Sequence, residues 1–508
     1  MKTSSELFRL IKSLSKSEKR YFKLISSLQS GKKNYIKLFD VIDKQTIYNE
    51  EEIKEIFKRE TFIKHLPSEK NHLYGLILKS LRGFHADKSA ASVIQEQLRN
   101  IELLYDKALY SECSKIVRKT KKIAYNYEKF YFLLDLIDWE KKLIEEEYLR
   151  GNFKRDLNQI IKEEEECVDK LRNIAEYQKL YSKLNFAIRK GVDYRDIEES
   201  KSLAEVVKHP LITGKNTSLS TKASTACYYI KGMYVRREGD IDLSLECFNK
   251  VIELMDNNPF IKQELPKRYI RALSFNLYNY MIKRDWANCI KQIKKMRDLK
   301  GKKEFLNMDV QLKLFIFSYI GELVLNFYIG EFKKSIDKVI PKVKEGMKKF
   351  EGKLNKEAEI LFYYNFSTTY FGVGDMKNAL KYINYVLNNA ETGLREDIFT
   401  FARLINLIIH YELGNHDLLN YTLKSTKRYV TKNQRNYNFE TTFIEGIKKL
   451  NKTTDPDKKL AVLKQFKKDI IAPHKEIGRD YFGFITWIDS KIEQRPYPEL
   501  IKEQYQSI

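Results

Sequence analysis

TACYYIKGMYVRREGDIDLSLECFNKVIELMD, running from Thr225 to Asp256, decides how the whole chain is read. Gly239-Asp240 divides it. Ahead of the pair stand Tyr228 and Gly232; behind it come Ser244, Leu245, Phe248, Val251 and Leu254 at helical spacing. Apolar residues at i, i+3, i+4 and i+7 give a helix one stripe to bury. Glycine is the residue that most easily takes the left-handed conformation with which a helix ends. The stretch therefore predicts two antiparallel helices joined by a tight turn. Gly232 falls where the second helix crosses the first closely, and Pro259 follows the second helix, which it cannot continue.

The same layout returns from Leu361 to Asn389, with Tyr363, Tyr370, Gly374-Asp375, Ala379-Leu380, Ile383 and Val386 in corresponding places. It returns more loosely at Gly330-Glu331-Phe332 with Ser335, Ile336 and Val339, and at Gly414-Asn415 with Leu419 and Leu423. With the turn as marker, equivalent positions fall at Ala108, Gly151, Gly191, Gly239, Arg284, Gly330, Gly374 and Gly414, with a further turn near Asp455. Roughly 15-residue stretches with helical apolar spacing flank each one.

This pattern resembles the tetratricopeptide repeat, with elongated units of 40–48 residues where about 34 is usual. The resemblance implies an all-α fold: a right-handed superhelical solenoid of antiparallel helix pairs with a small N-terminal helical domain. The expected organisation is an N-terminal helical domain over 1–95, about nine helix pairs over 96–475 and C-terminal capping helices over 476–508. A solenoid lets a chain of 508 residues grow its core along an axis, each unit burying its apolar face against the next.

Residues 1–95 do not follow the period. Capping boxes at Thr3–Glu6 and Ser15–Glu18 announce two helices, and further helices are expected at 33–45, 49–59 and 68–82. GFHADKSAAS, at 83–92, reads as a linker. The domain is expected to cap the open face of the first repeat. Its basic face (Lys12, Lys16, Lys19, Arg20, Lys23) also admits a DNA-binding reading, although no recognition helix can be placed. At the far end Phe482, Phe484, Ile485 and Trp487 are expected to cover the last repeat.

Five scattered cysteines, never spaced C-x-x-C, argue for buried thiols in a reducing cytoplasm. No run approaches the ~18 uninterrupted apolar residues of a membrane span. The net charge of +24 suits an acidic or nucleic-acid partner, but it equally follows from a coding bias towards Lys, Ile, Asn and Tyr. No phosphate loop, metalloprotease, hydrolase or kinase motif is present. The histidines do not cluster, and acidic runs such as Glu145–Glu147 read as solvated faces. The expectation is a protein that is not an enzyme, with no cofactor and no metal site.

The leading expectation is a scaffold that binds a peptide or another protein along the first helices of its pairs. Carried over from the resemblance, the groove comprises Tyr229, Met233 and Arg236; Ser274, Tyr278 and Met281; Val324 and Phe327; Tyr364, Asn365, Thr368 and Phe371; and Leu404, Ile408 and Tyr411. Asn365 stands where members of that class hold a peptide backbone. The alternative is nucleic-acid or ribonucleoprotein binding by a basic stripe of Lys119, Lys122, Lys291, Lys294, Lys295, Lys344, Lys348, Lys424 and Lys427. A third reading joins them, with a DNA-binding N-terminal domain and a peptide-sensing solenoid. Gly232→Leu is expected to lower the melting temperature more than Gly330→Ala. The first overpacks a helix crossing by about 1–3 kcal/mol or more, and the second strains only a turn by about 1–2 kcal/mol; equal shifts would mean that the crossing is absent.

Overall fold

The computed structural model describes residues 5–28, 34–151, 156–189, 205–389, 396–432, 438–471 and 483–506. They are helices and the turns between them, with no strand among the described residues. The fold is all-α. It divides into two compact units, residues 1–168 and 169–508.

The first unit opens with α1 (Glu6–Ser13), α2 (Lys16–Leu28), α3 (Asn34–Lys44), α4 (Glu50–Ile56) and α5 (Leu66–Phe84). Ser15 and Glu18 form the reciprocal box: Ser15 N–H donates to Glu18 Oε2 (2.7 Å) and Glu18 N–H to Ser15 Oγ (3.3 Å). Thr3 of the other box lies outside the described residues. Leu38, Phe39, Ile42, Ile53, Leu73 and Ile77 build the core of these helices. Of the linker read at 83–92 only residues 85–89 join two helices, since α5 runs to Phe84 and α6 (Ala90–Tyr105) starts on a cap made by Ser89. Then come α7 (Tyr110–Asn126), α8 (Phe130–Leu149) and the start of α9 (Leu157–Arg189).

The second unit contains the end of α9 and a series of pairs: α10 (Thr221–Arg237) with α11 (Ile241–Asp256), and α12 (Pro266–Ile282) with α13 (Trp286–Asp298). Next are α14 (Met308–Tyr328) and α15 (residues 332–349), which passes through a π-helical stretch at Ser335–Val339. They are followed by α16 (Lys356–Gly372) with α17 (Met376–Asn388), α18 (Glu396–Glu412) with α19 (His416–Lys432), and α20 (Asn438–Lys452) with α21 (Pro456–Ile471). Each pair packs against the first helix of the next, α10–α11, α16–α17 and α18–α19 chiefly through their second helices, in the order α10 pair, α12, α14, α16, α18, α20. Two short helices end the chain, α22 (Phe484–Ile492) and α23 (Tyr497–Gln506).

One backbone device closes these pairs. Ala108, Gly151, Gly239, Arg284, Gly330, Gly374 and Gly414 all have positive φ, between 56° and 91°; Gly191 lies outside the described residues. After Gly239, Arg284, Gly330, Gly374 and Gly414 the next N–H reaches back to the carbonyl five residues earlier. Asp240 N donates to Val235 O (3.0 Å), Asp285 N to Tyr280 O (2.9 Å) and Asp375 N to Tyr370 O (3.0 Å). These bonds satisfy carbonyls that a helix end leaves unpaired. The Asp240, Asp285 and Asp375 carboxylates then cap the following helices. Near Asp455 the turn has no left-handed residue, and Asp455 caps α21 directly.

A second regularity lies inside the pairs. Ser244 Oγ–H donates to Gly232 O (3.0 Å), Cys289 Sγ–H to Leu277 O (3.7 Å) and Cys113 Sγ–H to Ile101 O (3.5 Å). Ser367 Oγ–H donates in the opposite sense, to Ala379 O (2.8 Å). Each bond joins residues twelve apart, so the helices cross at one register with a small residue at the contact. At Gly232 an added Cβ would stand 3.0 Å from the Phe248 ring and 3.2 Å from Cys247 Cβ. Gly330 carries more than turn strain, because a Cβ there would run into the Lys502 side chain and lie 3.2 Å from Pro498 O.

α14 is long and apolar enough to cross a membrane by length and composition, but most of its apolar window is buried among its neighbours. Its Leu314, Phe315, Ile316, Leu323 and Leu325 belong to the core. The left-handed turns predict opposite signs for two exposed substitutions. Ala108→Gly should raise stability by up to about 1 kcal/mol, by relieving a residue held at φ 56°. Gly374→Ala should lower it by about 1–2 kcal/mol through strain alone, since nothing lies within 4 Å of the added methyl group. Urea denaturation of the two variants checks both signs.

Candidate functional site

The groove residues read from the sequence fall into two groups. Tyr229, Met233, Ser274, Met281, Phe327, Asn365, Thr368, Phe371, Leu404 and Ile408 are buried, while Arg236, Tyr278, Val324, Tyr364 and Tyr411 keep partial exposure. The first helix of each pair is flanked by its neighbours on both sides, and this packing covers much of the face that was expected to be open. Asn365 is committed internally: its Nδ2 donates to Leu361 O (2.7 Å), and its backbone carbonyl accepts from Thr368 and Thr369.

The rest of the covering comes from the end of the chain. Tyr497 on α23 sits edge-on to Phe371 (5.4 Å between centroids) and stacks at 6.2 Å from Phe332. Trp487 on α22 meets Tyr411 edge-on at 5.9 Å, and its Nε1–H donates to Glu412 Oε1 (2.7 Å), a carboxylate that also takes Lys491 Nζ (2.7 Å). Phe484 packs on Phe401, Phe439 and Phe443. Phe484, Trp487, Ile488, Tyr497 and Ile501 share one core with Phe327, Phe371, Leu404 and Ile408. α23 then continues along the turns: Lys502 pairs with Glu331 (3.5 Å), and Arg284 Nη1 donates to Gln504 O (3.1 Å). The C-terminal helices thus cover the last pair and reach back to the pair closed at Arg284. Phe482 lies outside the described residues.

At the other end of the second unit the face is polar. Arg236 Nη1 donates to Asn279 Oδ1 (2.6 Å) and its guanidinium lies over the Phe275 and Tyr278 rings. Arg268 Nη1 donates to Thr225 Oγ1 (2.8 Å) and Lys222 O (3.2 Å), and Arg271 Nη1 to Tyr181 Oη (2.8 Å). Burial pulls the Arg268 guanidinium below its ordinary pKa and pushes the Tyr229 phenol above its own. Sequence reasoning passed over Arg268 and Arg271. A signal was available, since Arg271 lies three residues ahead of Ser274 and extends the series Ser274, Tyr278, Met281 by one turn.

The basic stripe is exposed but interrupted. Lys119 and Lys122 are exposed on α7 in the first unit; Lys291, Lys294, Lys344, Lys348, Lys424 and Lys427 are exposed in the second. Lys295 is held by Asp256 (3.4 Å) beside the Tyr269 ring, and Lys427 is paired with Glu445 (3.0 Å). An open depression of about 340 Å³ between α6 and α8 is lined by Gln95, Leu98, Arg99, Glu102, Asp135, Asp138 and Trp139. Lys142 already covers Trp139 and pairs with Asp138 (2.8 Å). All five cysteines are buried. Desolvation pushes the Cys247 thiol up to about 11 and Cys289 up to about 12, so both are protonated and unreactive at neutral pH. Among the described residues no three His, Cys, Asp or Glu side chains group as metal ligands.

No protein-family model matches the chain, and no curated protein matches it in sequence. The docking of α23 is directly testable. Tyr497→Ala with Ile501→Ala removes two anchors of the shared core, and each buried truncation costs about 2–5 kcal/mol. Hydrogen exchange should accelerate first in α23 and at Gly330–Glu331, ahead of the α10–α11 pair. Uniform acceleration would mean that α23 is not a separable element.

Proposed function

We propose that the second unit is a solenoid of tetratricopeptide-like pairs that serves as a non-enzymatic scaffold, holding a helical segment of another protein along the ends of its first helices. The reading is supported above all by one observation: that row already receives a helix, α23, through Tyr497 and Ile501. A surface that packs an amphipathic helix in cis has the apolar anchors, the flanking ion pair of Lys502 with Glu331 and the geometry to take one in trans. Phe371 meets Tyr497 of that helix, while Tyr411 meets Trp487 of the neighbouring α22.

The test uses the full chain carrying Tyr497→Ala and Ile501→Ala together with a labelled peptide of residues 495–508. The peptide should bind with micromolar affinity, and adding Phe371→Ala should weaken it by about 2 kcal/mol or more, as truncating a central aromatic anchor does. Reversing Lys291, Lys294 and Lys295 to glutamate should leave peptide binding unchanged. Absence of peptide binding would sink the scaffold reading. Tight, salt-sensitive RNA binding abolished by the lysine reversal alone would favour the nucleic-acid reading instead.

A further inference from the structure

Arg268 and Arg271 lie three residues apart on α12 and so share a face. Both are partly buried, yet among the described residues neither has a carboxylate partner. The nearby Glu264 is engaged with Lys222 (3.8 Å). Among the described residues, the groups that the two guanidiniums contact are neutral: Thr225 Oγ1, the Lys222 carbonyl, and the phenols of Tyr181 on α9 and Tyr229 on α10, whose ring centroids are 5.8 Å apart. Tyr181 Oη accepts from Arg271, which leaves its own hydrogen to donate. These contacts use Nη1 of each arginine, and the Arg271 guanidinium also hydrogen-bonds the Tyr229 phenol. Two half-buried positive charges without counter-ion are a cost that a fold avoids unless something else balances them.

We propose that Arg268, Arg271 and Tyr181 form a phosphate-binding site on the face shared by α9, α10 and α12, taking a phosphate monoester dianion. Two guanidiniums match its two charges, and donors arriving from different helices suit a tetrahedral group with several acceptor oxygens. A single planar carboxylate would neutralise only one of the two arginines. Arg236, held at Phe275 O and Asn279 Oδ1 four and eight residues beyond Arg271 on α12, lies about 6–12 Å further along at helical rise. It would meet the next part of a ligand larger than phosphate itself. This site does not rest on the scaffold reading, because a small anion tests it without any peptide.

The experiment titrates the full chain with sodium phosphate at pH 8, where phosphate is dianionic, against sodium chloride and sodium acetate at equal ionic strength. Melting temperature and calorimetric heat are followed together. Phosphate should raise the melting temperature saturably, and chloride should not. Arg271→Gln should weaken phosphate at least tenfold while melting no lower than the parent, since it removes an unbalanced charge. Tyr181→Phe, a milder change, should weaken phosphate several-fold and covers the case in which the arginine variant does not fold. Equal shifts with chloride, or unaltered phosphate binding in a folded Arg271→Gln or Tyr181→Phe protein, would overturn the proposal. Acetate binding as well as phosphate would overturn the choice of phosphate. A phosphoserine peptide binding more tightly than inorganic phosphate would identify the source as a phosphorylated protein. Equal affinities would identify a free phosphate or small phosphoester.

Discussion

A helix that must reverse within two residues has to end with its last carbonyls satisfied and its chain turned. A single left-handed residue does both. In this protein that residue is fixed even where its side chain resists: Ala108 and Arg284 sit at φ 56° and 58°, a conformation that costs a non-glycine residue about 1–2 kcal/mol. The turn sets the phase of the two helices it joins, and the phase delivers a small residue to the crossing. Ser244, Cys289 and Cys113 then sit at one equivalent position and bond back across the pair. Because the pairs share this register, each presents a similar apolar face to the next.

Much of this was legible because it is local. Glycine spacing located Gly239, Gly330, Gly374 and Gly414, and interval alone located Ala108 and Arg284, where composition offers no hint. The Ser15–Glu18 box was readable for the same reason, as two residues answering each other across one turn. The groove was read less well. Asn365 is used up by its own helix, and Phe371 is met by Tyr497 from far along the chain. Apolar spacing says which face a helix buries, not which distant segment buries it. Arg268 and Arg271 escaped notice because a charged pair in a chain of net charge +24 carries no contrast until its lack of carboxylates is seen in space.

The second unit therefore presents one row of first helices in two chemical states. Towards the C-terminal end the row is aromatic and covered, by Trp487 against Tyr411 and Tyr497 against Phe371. Towards the N-terminal end it is cationic and hydroxyl-bearing, with Arg236, Arg268 and Arg271 among Tyr181, Thr225 and Tyr278. An apolar anchor and an anion-seeking patch on one surface are the two components by which extended partners are fixed in register, the first by burial and the second by charge.

The bond from Arg284 to the carbonyl of Gln504 joins positions 220 residues apart. At roughly 5–20 residues per second of synthesis, the turn at Arg284 leaves the ribosome some ten to forty seconds before the helix that will cover its neighbours. Phe327, Phe371 and Tyr411, made after Arg284, have no lid until Trp487 and Tyr497 follow, although the pairs that bear them can already form. Residues 484–506 therefore seal a row that is made well before them, and a chain lacking them would carry that aromatic seam open to whatever is nearby.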